Sequence, residues 1–168
     1  MWPRSRPSEF RILYRLAPLA LLAFAASTDA AAPAPPGAAL RFMRGDCEAL
    51  AMPGGRGTNC RPELVNLVYA SGAVSFVFTG NDRRLLSFRG RVAGNQGDQA
   101  RVRVEQVTIV APRGGAVRTQ PAKGSCLLTP FAVDRSRLDC TATGNGGRYS
   151  GTFRTSDERP RLVTLTGA

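Results

Sequence analysis

The residues of this chain best suited to chemistry are its four cysteines, which fall into two close pairs, Cys47 with Cys60 and Cys126 with Cys140. Thiolates can hold zinc, but neither pair has the short spacing, roughly two to four residues, of a zinc knuckle. No Cys-x-x-Cys occurs, so a thioredoxin-type exchange site is also absent. Structural disulfides are the remaining chemistry. Four cysteines allow three connectivities, and one of them has local support. If Cys126 faces Cys140 across a hairpin, the pairing centre falls at position 133, and the same register sets Leu128 against Leu138. The turn would then lie within Phe131-Ala132-Val133-Asp134-Arg135, entered through Pro130. Cys47 and Cys60 flank Pro53-Gly54-Gly55-Arg56-Gly57 and would close a loop of similar size. The rival arrangement pairs cysteines between the two halves of the chain.

Little else offers catalysis. The chain has no histidine, which excludes a histidine-containing Ser or Cys triad. A serine–lysine dyad would have to use the sole lysine, Lys123, with Ser125 two residues on, and no further hydrolase signature surrounds them. Carboxylate pairs such as Asp134 with Asp139, or Asp157 with Glu158, are the material of a glycoside hydrolase, yet nothing singles these out. Calcium loops of the Asp-x-Asp-x-Asp type are missing. The glycine-rich Gly54-Gly55-Arg56-Gly57-Thr58 lacks the lysine of a phosphate-binding loop. Arg44-Gly45-Asp46 spells an integrin-type tripeptide, a motif too short to carry an assignment. The sequence therefore yields no catalytic residue, no metal ligand and no cofactor site.

The elements around the cysteines begin with a leader. Arg4, Arg6, Arg11 and Arg15 precede an apolar run from Leu16 to Ala26, and small residues follow. That order is a secretory signal, with cleavage expected after Ala30 and a site after Ser27 as its rival. The apolar run is shorter than the ~20 residues a membrane span needs, so no transmembrane anchor is expected after processing. Residues 1–30 are thus read as signal peptide, 31–39 as a Pro/Ala-rich tether and 40–168 as one domain. Removing the leader's four arginines and two acids (Glu9, Asp29) from 23 basic and 12 acidic residues leaves 19 and 10, a net charge of +9. A periplasmic or secreted protein of this charge is drawn to anionic polymers. Nucleic acid is not an expected partner, because export and few stacking aromatics oppose it.

Downstream of Cys60 the pattern is that of strands. Val74, Phe76 and Phe78 alternate with Ser75, Val77 and Thr79, and Leu64 to Tyr69 forms a shorter strand before the turn Ala70-Ser71-Gly72. Leu86, Phe88 and Val92 face one way, while Ser87, Arg89 and Arg91 face the other. Between Arg101 and Val110 the apolar phase switches, from Val102 and Val104 to Val107 and Ile109, which predicts a bulge near Glu105-Gln106. Gly94 to Asp98 and Pro112 to Lys123 read as loops. Two further strands around Cys140 and Tyr149 join through Gly144-Asn145-Gly146-Gly147, and Val163 with Leu165 marks a last one. No segment has a helical period. The expected fold is all-β, an antiparallel sandwich or small barrel of about seven to eight strands with two disulfides.

The run from Tyr69 to Phe78, then Ser87-Phe88-Arg89-Gly90-Arg91, is similar to segments of small exported alphaproteobacterial proteins of unknown function. Cys140-Thr141-Ala142-Thr143 and Tyr149-Ser150-Gly151-Thr152-Phe153 resemble their C-terminal segment. The resemblance implies an exported, disulfide-bonded β domain and brings no activity or ligand with it. From the residues themselves, the leading expectation is a non-enzymatic binding or structural module of the cell envelope. Arg89, Arg91, Arg101 and Arg103 are its candidate contacts to an anionic polymer, helped by the two loops. An exported inhibitor of proteases or other hydrolases, presenting Pro112 to Lys123, is the alternative. A carboxylate-dependent hydrolase is the third.

Overall fold

The computed structural model describes residues 38–54, 59–129 and 135–165. The leader, most of the tether and the expected turn at 130–134 lie outside the described residues. Nine strands follow one another: β1 (Ala38–Ala51), β2 (Cys60–Val68), β3 (Ala73–Gly80), β4 (Leu85–Gln96), β5 (Gln99–Val110), β6 (Val117–Thr129), β7 (Arg137–Gly144), β8 (Gly147–Thr155) and β9 (Arg161–Leu165). Each strand from β1 to β8 pairs antiparallel with the next, and β8 pairs back onto β1. This is a closed eight-stranded up-and-down barrel, and closure removes the exposed edges that an open sheet would leave. The extra strand β9 runs along the N-terminal half of β1, on the edge that β8 leaves free.

Alternation along each strand fills the inside. One interior row runs Val102, Cys126, Cys140, Gly151 and Leu50 across β5, β6, β7, β8 and β1. Phe78 and Phe88, both fully buried, meet edge to face with ring centroids 5.8 Å apart. Gly151 makes room for them: a Cβ there would lie 2.8 Å from the Phe78 Cζ. The lumen is therefore a packed core. Tyr149 is buried too, and its hydroxyl accepts a hydrogen bond from the Gln120 amide. Asn66 gives its amide to the Ser75 carbonyl oxygen at 3.2 Å. Among the described residues, no buried side-chain polar atom lacks a partner. An apolar interior with arginines outside reverses the pattern of a membrane-spanning barrel. No described helix is long and apolar enough to cross a membrane.

Both disulfides join neighbours in sequence. Cys126 and Cys140 face each other in register, with Leu128 opposite Leu138, and their Cα atoms are 4.0 Å apart. Cys47 and Cys60 bridge β1 to the start of β2 with Cα atoms 5.5 Å apart. Persistent disulfides belong to an oxidising compartment, which points to export from the cytoplasm.

The predicted phase switch in β5 is a bulge: Arg89 pairs with Gln106 and Gly90 with Val104, leaving Glu105 unmatched. Gly90 serves the same distortion, because a Cβ there would overlap the Arg103 carbonyl oxygen on the neighbouring strand. Three expectations need correction. Gly94 to Gln96 belong to β4, so the loop read as Gly94 to Asp98 is a two-residue turn at Gly97-Asp98. Val92, expected inside, is 55 % exposed, because residues 91–95 all stand clear of the core. Pro112 to Lys123 is not one loop: a 3-10 turn at Pro112–Gly114 leads into β6 from Val117 onwards. Pro121 is tolerated inside β6 because its pairing to β5 is irregular there.

Candidate functional site

The four arginines singled out from the sequence all lie on the outer face of the β4–β5 hairpin. Arg91 and Arg103 are direct cross-strand partners. Arg101 is opposite Gly94, nearer the hairpin tip, and Arg89 is opposite Gln106 on the other side. Arg89 is drawn away from the others, since its guanidinium stacks 4.8 Å above the Tyr69 ring. Arg91 donates to the Ser71 carbonyl oxygen at 3.0 Å. The structure thus brings Arg91, Arg101 and Arg103 together and turns Arg89 towards β2.

Register extends this patch across the barrel. From Arg91 and Arg103 the same outward row continues through Ser125 on β6, Thr141 on β7 and Ser150 on β8. A second row holds Lys123, Thr143 and Arg148. Neighbouring strands are about 4.8 Å apart, so the two rows form a curved surface that follows an arc of roughly 20 Å around about half of the closed barrel. Its exposed cations are spaced by hydroxyl side chains. Arg101, Lys123 and Arg148 make no ion pair with a described carboxylate. Lys123 and Arg148 were missed as members of this face, because strand neighbours across a sheet leave no spacing signal along the chain.

The bulge opens a groove beside these rows. At Glu105 one residue of β5 is unmatched, and at Ala122-Lys123 two residues of β6 are. The resulting groove of about 840 Å³ is lined by Arg103, Glu105, Pro121, Lys123, Gly124 and Thr143 among others. Its volume lies within the ~300–1,000 Å³ of small-molecule sites, although it is an open trough. Glu105 reaches Arg103 at 3.5 Å and Arg91 at 4.0 Å.

Among the described residues, Asp139, Asp157 and Glu158 are each engaged by arginines. Asp139 is held by Arg137 at 2.9 Å and by the Thr152 hydroxyl at 3.0 Å, while Asp134 lies outside the described residues. Asp157 binds Arg135 through both oxygens, at 2.6 and 3.0 Å. Hydrogen bonds from Arg135 are the main reason its carboxyl titrates below the usual range; slight desolvation opposes them and the guanidinium charge adds to them. A second groove, about 410 Å³, lies beside β9 and contains Glu63 and Glu158 with Arg44, Arg159 and Arg161. Glu158 is exposed and pairs with Arg44 at 3.8 Å. Lys123 is exposed on the outer side of β6. Arg44-Gly45-Asp46 is inside β1, with Asp46 paired to Arg154 of β8, and not at a loop tip. Among the described residues no group of three His, Cys, Asp or Glu side chains could hold a metal ion.

No family model, curated protein or solved structure matches the chain.

Proposed function

We propose that this protein is an exported, non-enzymatic binding module of the bacterial cell envelope that holds an acidic polysaccharide across the outer face of β4 to β8. In this reading residues 1–30 are a cleaved signal peptide and the folded domain works in the periplasm or beyond it. The observation that carries the reading is the pair of cross-strand rows, Arg91-Arg103-Ser125-Thr141-Ser150 and Lys123-Thr143-Arg148. Arginine forks and a lysine ammonium suit carboxylate or phosphate groups, and the intervening hydroxyls suit sugar hydroxyls. Such a surface recognises a repeated anionic sugar better than an isolated small anion, because its charges are spread over several strands. The test is binding of polygalacturonate and dextran to the purified, oxidised protein at increasing salt. Polygalacturonate should bind and lose about tenfold or more in affinity between 50 and 500 mM salt, as the Debye length contracts. Dextran should not bind. Salt-independent binding, or equal binding of both polymers, would remove the proposal.

The inhibitor alternative keeps one observation in its favour. Arg113, at the tip of the β5–β6 turn, has φ 58°, a left-handed conformation that a non-glycine residue adopts at some energetic cost. Incubation with a panel of secreted trypsin-like proteases tests it: stoichiometric inhibition abolished by Arg113→Ala supports it, and unimpeded proteases exclude it.

A further inference from the structure

We infer that the groove at the β5–β6 bulge is a discrete subsite for one anionic group of the sugar, gripped between Arg103 and Lys123, and that Glu105 is its built-in competitor. The inference rests on the acidic-glycan reading and adds to it a location and a control.

The groove exists because the strand register breaks there, so it is a fixed feature of the backbone and not a gap between mobile side chains. Its lining includes Pro121, Gly124 and Gly144, a weakly polar surface against which a pyranose ring can lie. Its lining also includes two cations on adjacent strands, Arg103 on β5 and Lys123 on β6, and Asn145 from the β7–β8 turn. That is the donor arrangement for a carboxylate or phosphate with neighbouring hydroxyls.

Glu105 is the unmatched residue of the bulge, and its carboxylate already stands where a ligand anion would go. It contacts Arg103 at 3.5 Å and Arg91 at 4.0 Å, both long for ion pairs. Its side chain is 46 % exposed and those of Arg91 and Arg103 are 55 % and 69 % exposed. Exposed pairs of this kind contribute little, so an incoming anion can replace Glu105 at low cost. Without a ligand, Glu105 holds the two guanidiniums near each other despite their like charge. With one, it is a repulsive neighbour. The pair of effects makes the site selective for anions that bring more than a single contact, as a sugar with its hydroxyls does.

The experiment compares Glu105→Gln, Lys123→Ala, Arg103→Ala and, as a surface control outside the groove, Arg161→Ala. Each is titrated with a polygalacturonate oligomer, and amide resonances of wild-type protein are followed with glucuronate and, in a second arm, with glucose 1-phosphate. E105Q should bind the oligomer about fourfold more tightly at low salt, the effect of removing one like charge a few ångströms from the ligand in a water-like dielectric. K123A and R103A should each bind about tenfold more weakly, from loss of a charge-assisted hydrogen bond, and R161A should be unchanged. The amides of Lys123, Gly124 and Thr143 should shift with the small anions, and the larger response of the two arms identifies the anionic group. If the oligomer binds wild type but E105Q, K123A and R103A all behave like R161A, the subsite is wrong while the glycan reading survives. If the small anions shift those amides but no acidic glycan binds, the subsite stands and the glycan reading falls. Circular dichroism of each variant establishes that a loss of binding is not a loss of fold.

Discussion

The two disulfides offer a controlled comparison of chain entropy with packing. They close loops of nearly equal length, with sequence separations of 13 and 14, so the entropic stabilisation is about 3 kcal/mol for each. Their surroundings differ. Cys126 and Cys140 are 0 % and 1 % exposed in the interior row between Val102 and Gly151, whereas Cys47 and Cys60 are only partly buried against the core. Replacing the buried pair with alanines removes two sulfurs and leaves a hole of roughly 50 Å³. At ~24 cal/mol per Å³ that hole costs about 1 kcal/mol, and the lost transfer of the sulfurs adds about 1 more. C126A/C140A should therefore lose about 5 kcal/mol and C47A/C60A about 3. Equilibrium urea unfolding at neutral pH, without reductant, reads the difference. With a slope of ~1.5–2 kcal/mol per molar, C126A/C140A should unfold about 1 M earlier than C47A/C60A. Equal midpoints would refute the claim that packing distinguishes the bridges. A lower midpoint for C47A/C60A would show that the partly buried bridge contributes more than the buried one.

Gly151→Ala should destabilise by about 1–3 kcal/mol, because the new methyl meets the Phe78 ring at 2.8–2.9 Å and Phe88 blocks the ring's retreat. Adding Phe78→Leu should recover part of that loss, and a thermal melt of the single and double variants checks both. Asp157 titrates below its ordinary value near 3.8, chiefly through the Arg135 hydrogen bonds. A depressed folded pKa contributes stability above the unfolded value and loses it as pH falls through the folded one. Asp157→Asn should accordingly lower the melting temperature slightly at pH 6 and leave it unchanged near pH 2, which a pH series of melts would read. An equal effect at both values would show that the loss is not ionic.

Strand identity was legible wherever an apolar period of two ran unbroken, as at Val74-Phe76-Phe78. The β5 bulge was legible from a change of parity between Val104 and Val107, since only one inserted residue returns both halves to the core. The Cys126–Cys140 register was legible because two residue pairs share one centre. β1 was not legible. Its fourteen residues include Arg41, Arg44, Asp46 and Glu48, and its inward parity changes at Glu48, so no single alternation spans it. Yet β1 closes the barrel, and without it the sandwich and barrel readings are equivalent. The prolines and glycines of Pro112 to Lys123 concealed the start of β6, where Thr119 and Gln120 pair with Thr108 and Val107. The candidate face was half legible for a related reason. Arg91, Arg101 and Arg103 lie on one hairpin, close in sequence, whereas Lys123 and Arg148 join them through pairings that only the closed sheet creates.

Amide hydrogen exchange of the oxidised protein, with and without saturating polygalacturonate, maps ligand contact onto strands most directly. Slowed exchange should appear in β5, β6 and the β7–β8 turn around Asn145, with β2 and β3 unchanged. Slowing confined to β2 and β3, or none at a glycan concentration that saturates binding, would contradict a binding surface on the outer β4 to β8 face.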